Sequence, residues 1–416
     1  MCKYIIQGGN RLCGNIKIQG AKNAVLPILA ASVMVPGKTM LHNCPNIYDV
    51  KITLEILRHL GCKTTHIGNT VTVDSTNITN YIIPEELTRK MRSSVIFTGA
   101  ILSRLSIAKC SYPGGCELGL RPIDIHLKSF RQLGVNIKEE DGFIECNLDK
   151  FLGGNVHLGF PSVGATENIM LLACRRPGRT VITNCAREPE IIDLQNFLNL
   201  MGAKISGGGS SIIEIEGVPH LTPAEKTIMP DRIVAATMMF LAASAKGEFL
   251  IENIIPSHID SITSLLMECG AKIRVENDKL YINCPEKLNA ISSVRTQPYP
   301  GFPTDAQSQL MAALSTMKGS SIINETIFEN RFNTASELIK MGADITIKDG
   351  VAVVRGVEKL HPANVVAPDL RGGAALTIAA LSADGRTEIE NVCYIERGYE
   401  DFEGIISSIG GNIRKV

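Results

Sequence analysis

The sequence predicts an α/β protein of two domains, each built from three copies of one helix–strand–helix–strand–strand unit. A hydrophobic–glycine–small signal recurs six times, at Leu60-Gly61-Cys62, Leu133-Gly134-Val135, Met201-Gly202-Ala203, Cys269-Gly270-Ala271, Met341-Gly342-Ala343 and Ile409-Gly410-Gly411, with the glycines 68–73 residues apart. Upstream of it stands a glycine six residues before an asparagine, at Gly37 and Asn43, Gly178 and Asn184, Gly247 and Asn253, and Gly385 and Asn391. The chain's 416 residues also exceed what one hydrophobic core serves.

Each element of the unit has a physical reason. The first helix is a run of small apolar residues, such as 233–245 or 374–382. A glycine follows, then a short β-rich run that ends at the asparagine. The second helix is amphipathic, as in residues 193–200, and stops at the recurrent glycine, which fits a left-handed C-cap. Short strands come next, for example Lys272-Ile273-Arg274-Val275. One unit cannot bury all its apolar faces, so the copies pack on one another.

Two units depart from the template. The one containing Gly319 carries Glu325 at the asparagine position. The second unit replaces the marker with Tyr112-Pro113-Gly114-Gly115-Cys116-Glu117-Leu118-Gly119-Leu120-Arg121-Pro122. Glycines allow close approach of backbone to a ligand, and a nearby guanidinium stabilises a thiolate. Departures from an internal template are where function is expected. The last unit has only six residues after Gly410, and residues 4–7 and 15–19 are expected to complete it. The domains are therefore 21–229 and 1–20 plus 230–416, with chain crossings near 20–21 and 229–230.

Charge excludes some functions. Forty-two basic and 42 acidic residues balance, and no Lys/Arg-rich run stands out, which argues against general nucleic-acid binding. An anionic ligand must be held by a local cluster. Twelve scattered cysteines form no Cys-x-x-Cys pair, and no His-Glu-x-x-His occurs, so neither a metal site nor a disulfide framework is expected. Most of these cysteines read as buried small hydrophobes in a reducing cytoplasm. The opening residues show no signal-peptide pattern, and the longest apolar stretch, 233–245, falls short of the roughly 20 residues that span a membrane. Lys22 opens the first helix after Gly20-Ala21, where the helix dipole favours an anion. Thr304 and Gln307 read as a capping box around Asp305.

Further motifs lie in register with the repeats: Ser162-Val163-Gly164-Ala165-Thr166, Ala186-Arg187-Glu188-Pro189-Glu190, Pro230-Asp231-Arg232, Phe302-Pro303-Thr304-Asp305, Phe328-Glu329-Asn330-Arg331-Phe332, Asp369-Leu370-Arg371 and Arg397-Gly398-Tyr399. With Lys22 and the Cys116 loop, they make the whole chain resemble the enolpyruvyl transferases of the EPSP synthase superfamily. The likeness is specifically to the UDP-N-acetylglucosamine 1-carboxyvinyltransferases of bacterial cell-wall synthesis. That resemblance implies two inside-out α/β domains of threefold pseudo-symmetry (an EPT/RTPC-like fold) with the active site in the cleft between them. It implies transfer of the enolpyruvyl group of phosphoenolpyruvate to the 3′-hydroxyl of the UDP-sugar, without metal or organic cofactor, as the first committed step of peptidoglycan synthesis.

The resemblance also assigns residues. Lys22, Arg121 and Arg397 surround the phosphate of phosphoenolpyruvate, while Arg331 and Arg371 meet its carboxylate or wall the site. Cys116 is the general acid and the residue that fosfomycin alkylates. Asp305 contacts the sugar hydroxyl as general base. UDP-N-acetylglucosamine falls to Asn23, Arg92, Arg121, Pro122, Ile123, Asp124, Ile125, Ser162, Val163, Gly164, Asp305 and Ile327, and Asp369 joins the substrate-binding set. His126 reads equally well as structural or functional. Tyr48 and Phe160 stand where many relatives carry lysine, which removes two possible phosphate contacts, and Gly372-Gly373 differs slightly from the common pattern. Competing readings are a transferase acting on shikimate 3-phosphate, whose family lacks a Gly-Gly-Cys loop, and a weakly active regulatory paralogue.

Overall fold

All six repeats fold in the order that their sequence signals dictate. The computed structural model describes residues 2–114 and 123–416. Among them, residues 20–114 with 123–229 form one compact unit, and 2–19 with 230–416 form a second.

The first helix of each repeat is the core. From Ile233 to Ser244 every residue of the Arg232–Ser244 helix is buried, and so is all of the Gln307–Leu314 helix. These two helices and Leu370–Ser382 pack on one another at the centre of the C-terminal unit. In the N-terminal unit, Phe97–Leu105 packs on both Lys22–Ala31 and Val163–Ala173. Enclosing an aliphatic side chain stabilises by about 1.5–3 kcal/mol, so a helix apolar all round is held inside. The sheets take the outside.

Five sheets have four strands and the sixth has three among the described residues. In the sheet of Gly178–Thr183, the edge strand Gly154–His157 runs parallel to it, and Ile212–Gly217 and Lys204–Ser206 follow antiparallel on the other side. The last repeat keeps this order by borrowing Lys3–Gly8, which lies between Gly385–Glu390 and Asn412–Lys415. The expectation for residues 15–19 needs correction. Cys13–Lys17 does not complete the last repeat but pairs in parallel with Glu248–Glu252, as the edge strand of the fourth repeat's sheet. Among the described residues the parallel edge position beside Glu248–Glu252 has no other segment to fill it, since Glu225–Thr227, which precedes the fourth repeat's first helix, pairs with Lys38–His42.

The recurrent markers have conformational causes. All six helix-ending glycines have φ between +88° and +103°, a backbone region that side chains resist. The marker asparagines Asn43, Asn184, Asn253 and Asn391 sit in the left-handed region at φ 55–59°. Three of them use the side-chain amide alike. Asn43, Asn184 and Asn253 donate Nδ2–H to the carbonyls of Ile228, Leu158 and Ile18, at 2.9, 2.7 and 2.6 Å. Each acceptor is the residue just after a parallel edge strand, so the asparagine fastens that strand to the repeat.

Replacing Asn253 by alanine leaves the Ile18 carbonyl without its donor and puts a Cβ residue with no local compensation at φ 59°. A loss of about 1–3 kcal/mol is expected, read as a lower urea midpoint for the C-terminal unit. Asn253→Gly relieves the backbone term only and recovers part of that loss.

Candidate functional site

The predicted residues fall into two sets, one in each unit. In the N-terminal unit, Lys22 is the first residue of its helix and pairs with the buried Asp49 carboxylate at 2.6 Å. Asn23 follows it. Tyr48 is exposed and precedes Asp49 in the first turn of the Tyr48–His59 helix.

A second group gathers around His126. The Asp124–Gln132 helix packs on Val163–Ala173, so closely that a Cβ on Gly164 would lie 2.9 Å from His126 Cε1. This contact sets Gly164, at the start of its helix, against the first turn of the helix that Ile123 precedes and Asp124 and Ile125 open. Ser162 caps its helix, its hydroxyl oxygen accepting from the Ala165 amide at 3.3 Å. Phe160 is exposed, and its carbonyl accepts from the Ser162 amide at 2.7 Å. Asn168 joins the group internally: its Oδ1 accepts from Gly99 N–H at 2.9 Å, which turns its Nδ2 toward the Val95 carbonyl (3.1 Å) and His126 Nδ1 (2.8 Å). Nδ1 is therefore an acceptor, and the ring proton sits on Nε2. Burial, and then the charge of Arg92, hold His126 down to about 4. Arg92, at the start of the Arg92–Ile96 turn, thus stands within electrostatic reach of the same ring. His126 is neutral at physiological pH.

In the C-terminal unit the three core helices begin alike, at Pro230-Asp231, Pro303-Thr304-Asp305 and Pro368-Asp369. Asp231 caps with bonds from the Ile233 and Val234 amides at 2.9 and 3.0 Å. Asp369 does the same for Arg371 and Gly372, at 2.7 and 3.1 Å. The capping box expected at Thr304 and Gln307 does not form. No side chain caps the Thr304–Ala306 turn or the helix after it, and the Thr304 hydroxyl donates instead to Glu325 Oε2 at 3.0 Å. Asp305 lies one residue further on than the two capping aspartates and takes a different part. Its Oδ1 accepts from Arg331 Nη2 at 2.9 Å and its Oδ2 from Arg371 Nη2 at 3.0 Å.

Both arginines are buried, Arg331 to 1% exposure, while the Asp305 side chain keeps 30%. Burial works against the charge on Arg371, but the Asp305 carboxylate, with Tyr399 and Asp231, outweighs it and raises its pKa above the ordinary arginine range. The hydroxyl of Tyr399, from the Arg397-Gly398-Tyr399 motif, accepts from Arg371 Nη1 at 3.4 Å and lies 2.8 Å from the Thr237 hydroxyl. Gln309 donates to that pair from the third core helix, at 3.2 and 3.3 Å. Arg397 ends the Val392–Arg397 turn, and Gln19 holds the residues after it. The Gln19 amide donates to the Gly398 carbonyl at 3.1 Å and accepts from the Glu400 amide at 2.7 Å. Ile327 N–H donates to Glu325 at 2.8 Å.

Cys116, Arg121 and Pro122 lie outside the described residues. Eight other cysteines are buried. Burial pushes Cys44, Cys146, Cys174 and Cys284 up to about 12, and Cys62, Cys110, Cys185 and Cys269 to about 11. They are protonated and serve as hydrophobes, as their scatter in the sequence suggested. Among the described residues no helix is long and apolar enough to cross a membrane.

The fold and the sequence together define an enolpyruvyl transferase. The model of the family EPSP synthase (3-phosphoshikimate 1-carboxyvinyltransferase) matches residues 6–406. The enolpyruvyl transferase NikO from Streptomyces tendae superposes with a TM-score of 0.90 at 25% identity, over all of this chain and 99% of its own. EPSP synthase from Acinetobacter baumannii shares the fold with a TM-score of 0.76 at 17% identity over both full chains. Two relatives match from end to end. They are UDP-N-acetylglucosamine 1-carboxyvinyltransferase 2 of Caldanaerobacter subterraneus at 48% identity and UDP-N-acetylglucosamine 1-carboxyvinyltransferase of Halothermothrix orenii at 46%, each covering 100% of both chains. The chain belongs to the UDP-N-acetylglucosamine 1-carboxyvinyltransferase family.

His126 gives the N-terminal unit a pH signature. Its folded pKa lies below the ordinary value of 6.5, so only the unfolded chain takes the proton between the two. Stability from this group is intact above pH 6.5 and falls as the pH drops toward 4, by about 3 kcal/mol in all. His126→Gln, which keeps an acceptor but does not titrate, should flatten the urea midpoint of that unit over this window.

Proposed function

We propose that this chain transfers the enolpyruvyl group of phosphoenolpyruvate to the 3′-hydroxyl of UDP-N-acetylglucosamine and releases phosphate, the committing step of peptidoglycan synthesis. The observation that carries the reading is the end-to-end likeness to enzymes named for that reaction, at 48% identity with every residue of both chains covered.

The reaction is an addition followed by an elimination. The sugar hydroxyl oxygen bonds to C2 of phosphoenolpyruvate while its proton passes to a base, and a second proton arrives at the C3 methylene. Loss of phosphate from C2, with a proton from C3, restores the double bond on the transferred group. Cys116 is the acid at C3 and the thiol that fosfomycin alkylates. Asp305 is the base for the 3′-hydroxyl, a role supported by its partial exposure between two fixed guanidiniums. Arg331 and Arg371 suit a carboxylate, since planar guanidiniums bind such groups through paired hydrogen bonds. Lys22, Arg121 and Arg397 take the phosphate. Asn23, Arg92, residues 121–125, Ser162, Val163, Gly164 and Ile327 hold the nucleotide sugar, with the helix N-terminus behind Ser162 suited to its diphosphate. Asp369 orients Arg371 through the helix cap.

These residues come from both units, so the reading requires that the substrates draw the two units together over one site. A smaller radius of gyration in solution scattering on adding UDP-sugar is the expected sign, and an unchanged one removes closure from the reading. We place the reaction in the cytoplasm, in keeping with the buried, reduced cysteines.

A phosphate-release assay with both substrates tests the activity, and shikimate 3-phosphate in place of the UDP-sugar should give no release. Cys116→Ser should nearly abolish turnover while UDP-sugar still binds by calorimetry, and fosfomycin should inactivate the parent but not the variant. Asp305→Ala should slow turnover by roughly 10²–10⁴-fold, the range of a positioned acid or base. Near-normal turnover in either variant removes that residue from the chemistry.

A further inference from the structure

Glu325 occupies the position that asparagine holds in four other repeats, and it fastens different things. In three of those repeats the amide donates to the carbonyl just after the edge strand. An ionised carboxylate has no proton to give. Here the corresponding residue is Thr296, directly after the edge strand Ser293–Arg295, and the polarity of the link is reversed: the Thr296 hydroxyl donates to Glu325 Oε1 at 2.9 Å. The Thr296 carbonyl is satisfied separately, by the Thr326 hydroxyl at 2.6 Å.

The exchange of asparagine for glutamate adds reach and a second acceptor. Oε1 also accepts from the amides of Ile327 and Phe328 at 2.8 and 3.2 Å. Oε2 accepts from the Thr304 hydroxyl at 3.0 Å. One largely buried carboxylate thus ties together the Thr296 corner, the residue before Asp305, and the turn that leads to Arg331. Arg331 closes the ring by donating from Nε to the Thr304 carbonyl at 3.1 Å and from Nη2 to Asp305. The other two core-helix aspartates of the C-terminal unit, Asp231 and Asp369, cap their helices.

We propose that Glu325 is the positioning residue that sets the sugar-hydroxyl end of the site, fixing Asp305 through Thr304 and Ile327 through its backbone amide. This rests on the reading of Asp305 and Ile327 as substrate contacts. Glu325 touches no substrate; it acts by holding two groups that do. Errors of about 1 Å in such groups cost on the order of 10²-fold in rate.

The experiment compares steady-state kinetics of Glu325→Ala, Glu325→Gln and Glu325→Asn with urea midpoints measured alongside. Glu325→Ala should lower kcat/KM for the UDP-sugar by about 10- to 100-fold. Glu325→Gln, which keeps the length and an oxygen at Oε1, should restore most of that. Glu325→Asn, the template residue, is a methylene too short for Thr304 and should not. Thr304→Val should lose activity as well, and combining it with Glu325→Ala should cost little more than Glu325→Ala alone; should Glu325→Ala fail to fold, Thr304→Val reads the same link. Parent-like kinetics in a folded Glu325→Ala or Thr304→Val variant would overturn the proposal, as would a loss that glutamine does not repair and that matches the loss of folded protein. Asp305→Ala in the same assay separates the two levels. If it turns over normally, the reading of the site falls and this inference with it; if it is inactive while Glu325→Ala is normal, only the inference fails.

Discussion

A helix that is apolar on every side has to be enclosed, and this one constraint organises the protein. Six core helices, rich in small apolar residues and buried over most of their length, occur in one chain. Three gather at the middle of the C-terminal unit and the amphipathic helices and sheets surround them. Polar side chains within the core helices, such as Asn168, Thr237 and Gln309, are held by hydrogen bonds. Polar groups collect where the helices begin, and Asp305, Arg371, Asp231 and Asp369 all stand there.

Charge buried at those helix ends is held by geometry rather than by water. Breaking a buried ion pair costs about 3–5 kcal/mol because the remaining charge is stranded. Arg331 and Arg371 share one carboxylate, and Arg371 has a second acceptor in Tyr399, itself tied to Thr237 and Gln309 on the neighbouring helices. The cations are thereby fixed before any anion arrives. In the proposed reading, a substrate carboxylate meets donors already desolvated, the condition under which electrostatic stabilisation is strongest.

Much of this was legible in the sequence, for a physical reason. A left-handed backbone residue at each helix end selects glycine, and a left-handed residue that must also donate selects asparagine, so both leave a periodic trace. Gly61 through Gly410 and Asn43 through Asn391 therefore reported the repeat directly. The pairing of Cys13–Lys17 was not legible, because a β-rich run says nothing about which sheet edge it joins. Asp305 and Thr304 looked like a cap because the spacing is that of a cap; only the third dimension, with Arg331 and Arg371 beside the carboxylate, shows otherwise. Glu325 left a mark as a broken repeat, yet its partners Thr296 and Thr304 lie 29 and 21 residues away in sequence. Tyr399 stood in the Arg397-Gly398-Tyr399 motif with no role legible, and Gln309 and Gln19 gave no functional signal, since a phenol or amide that is largely enclosed looks like packing.

The position of Lys3–Gly8 carries a consequence for biosynthesis. This strand is made long before its two neighbours, Gly385–Glu390 and Asn412–Lys415. Cys13–Lys17 likewise waits for Glu248–Glu252. The unit of residues 20–229 draws its described strands from one continuous stretch of chain, whereas the other pairs Cys13–Lys17 with Glu248–Glu252 and Lys3–Gly8 with strands made much later still. Unpaired strand edges invite aggregation, and the sheet of Lys3–Gly8 can close only after Asn412–Lys415 has been made, whereas the sheets of residues 20–229 need nothing from beyond that stretch.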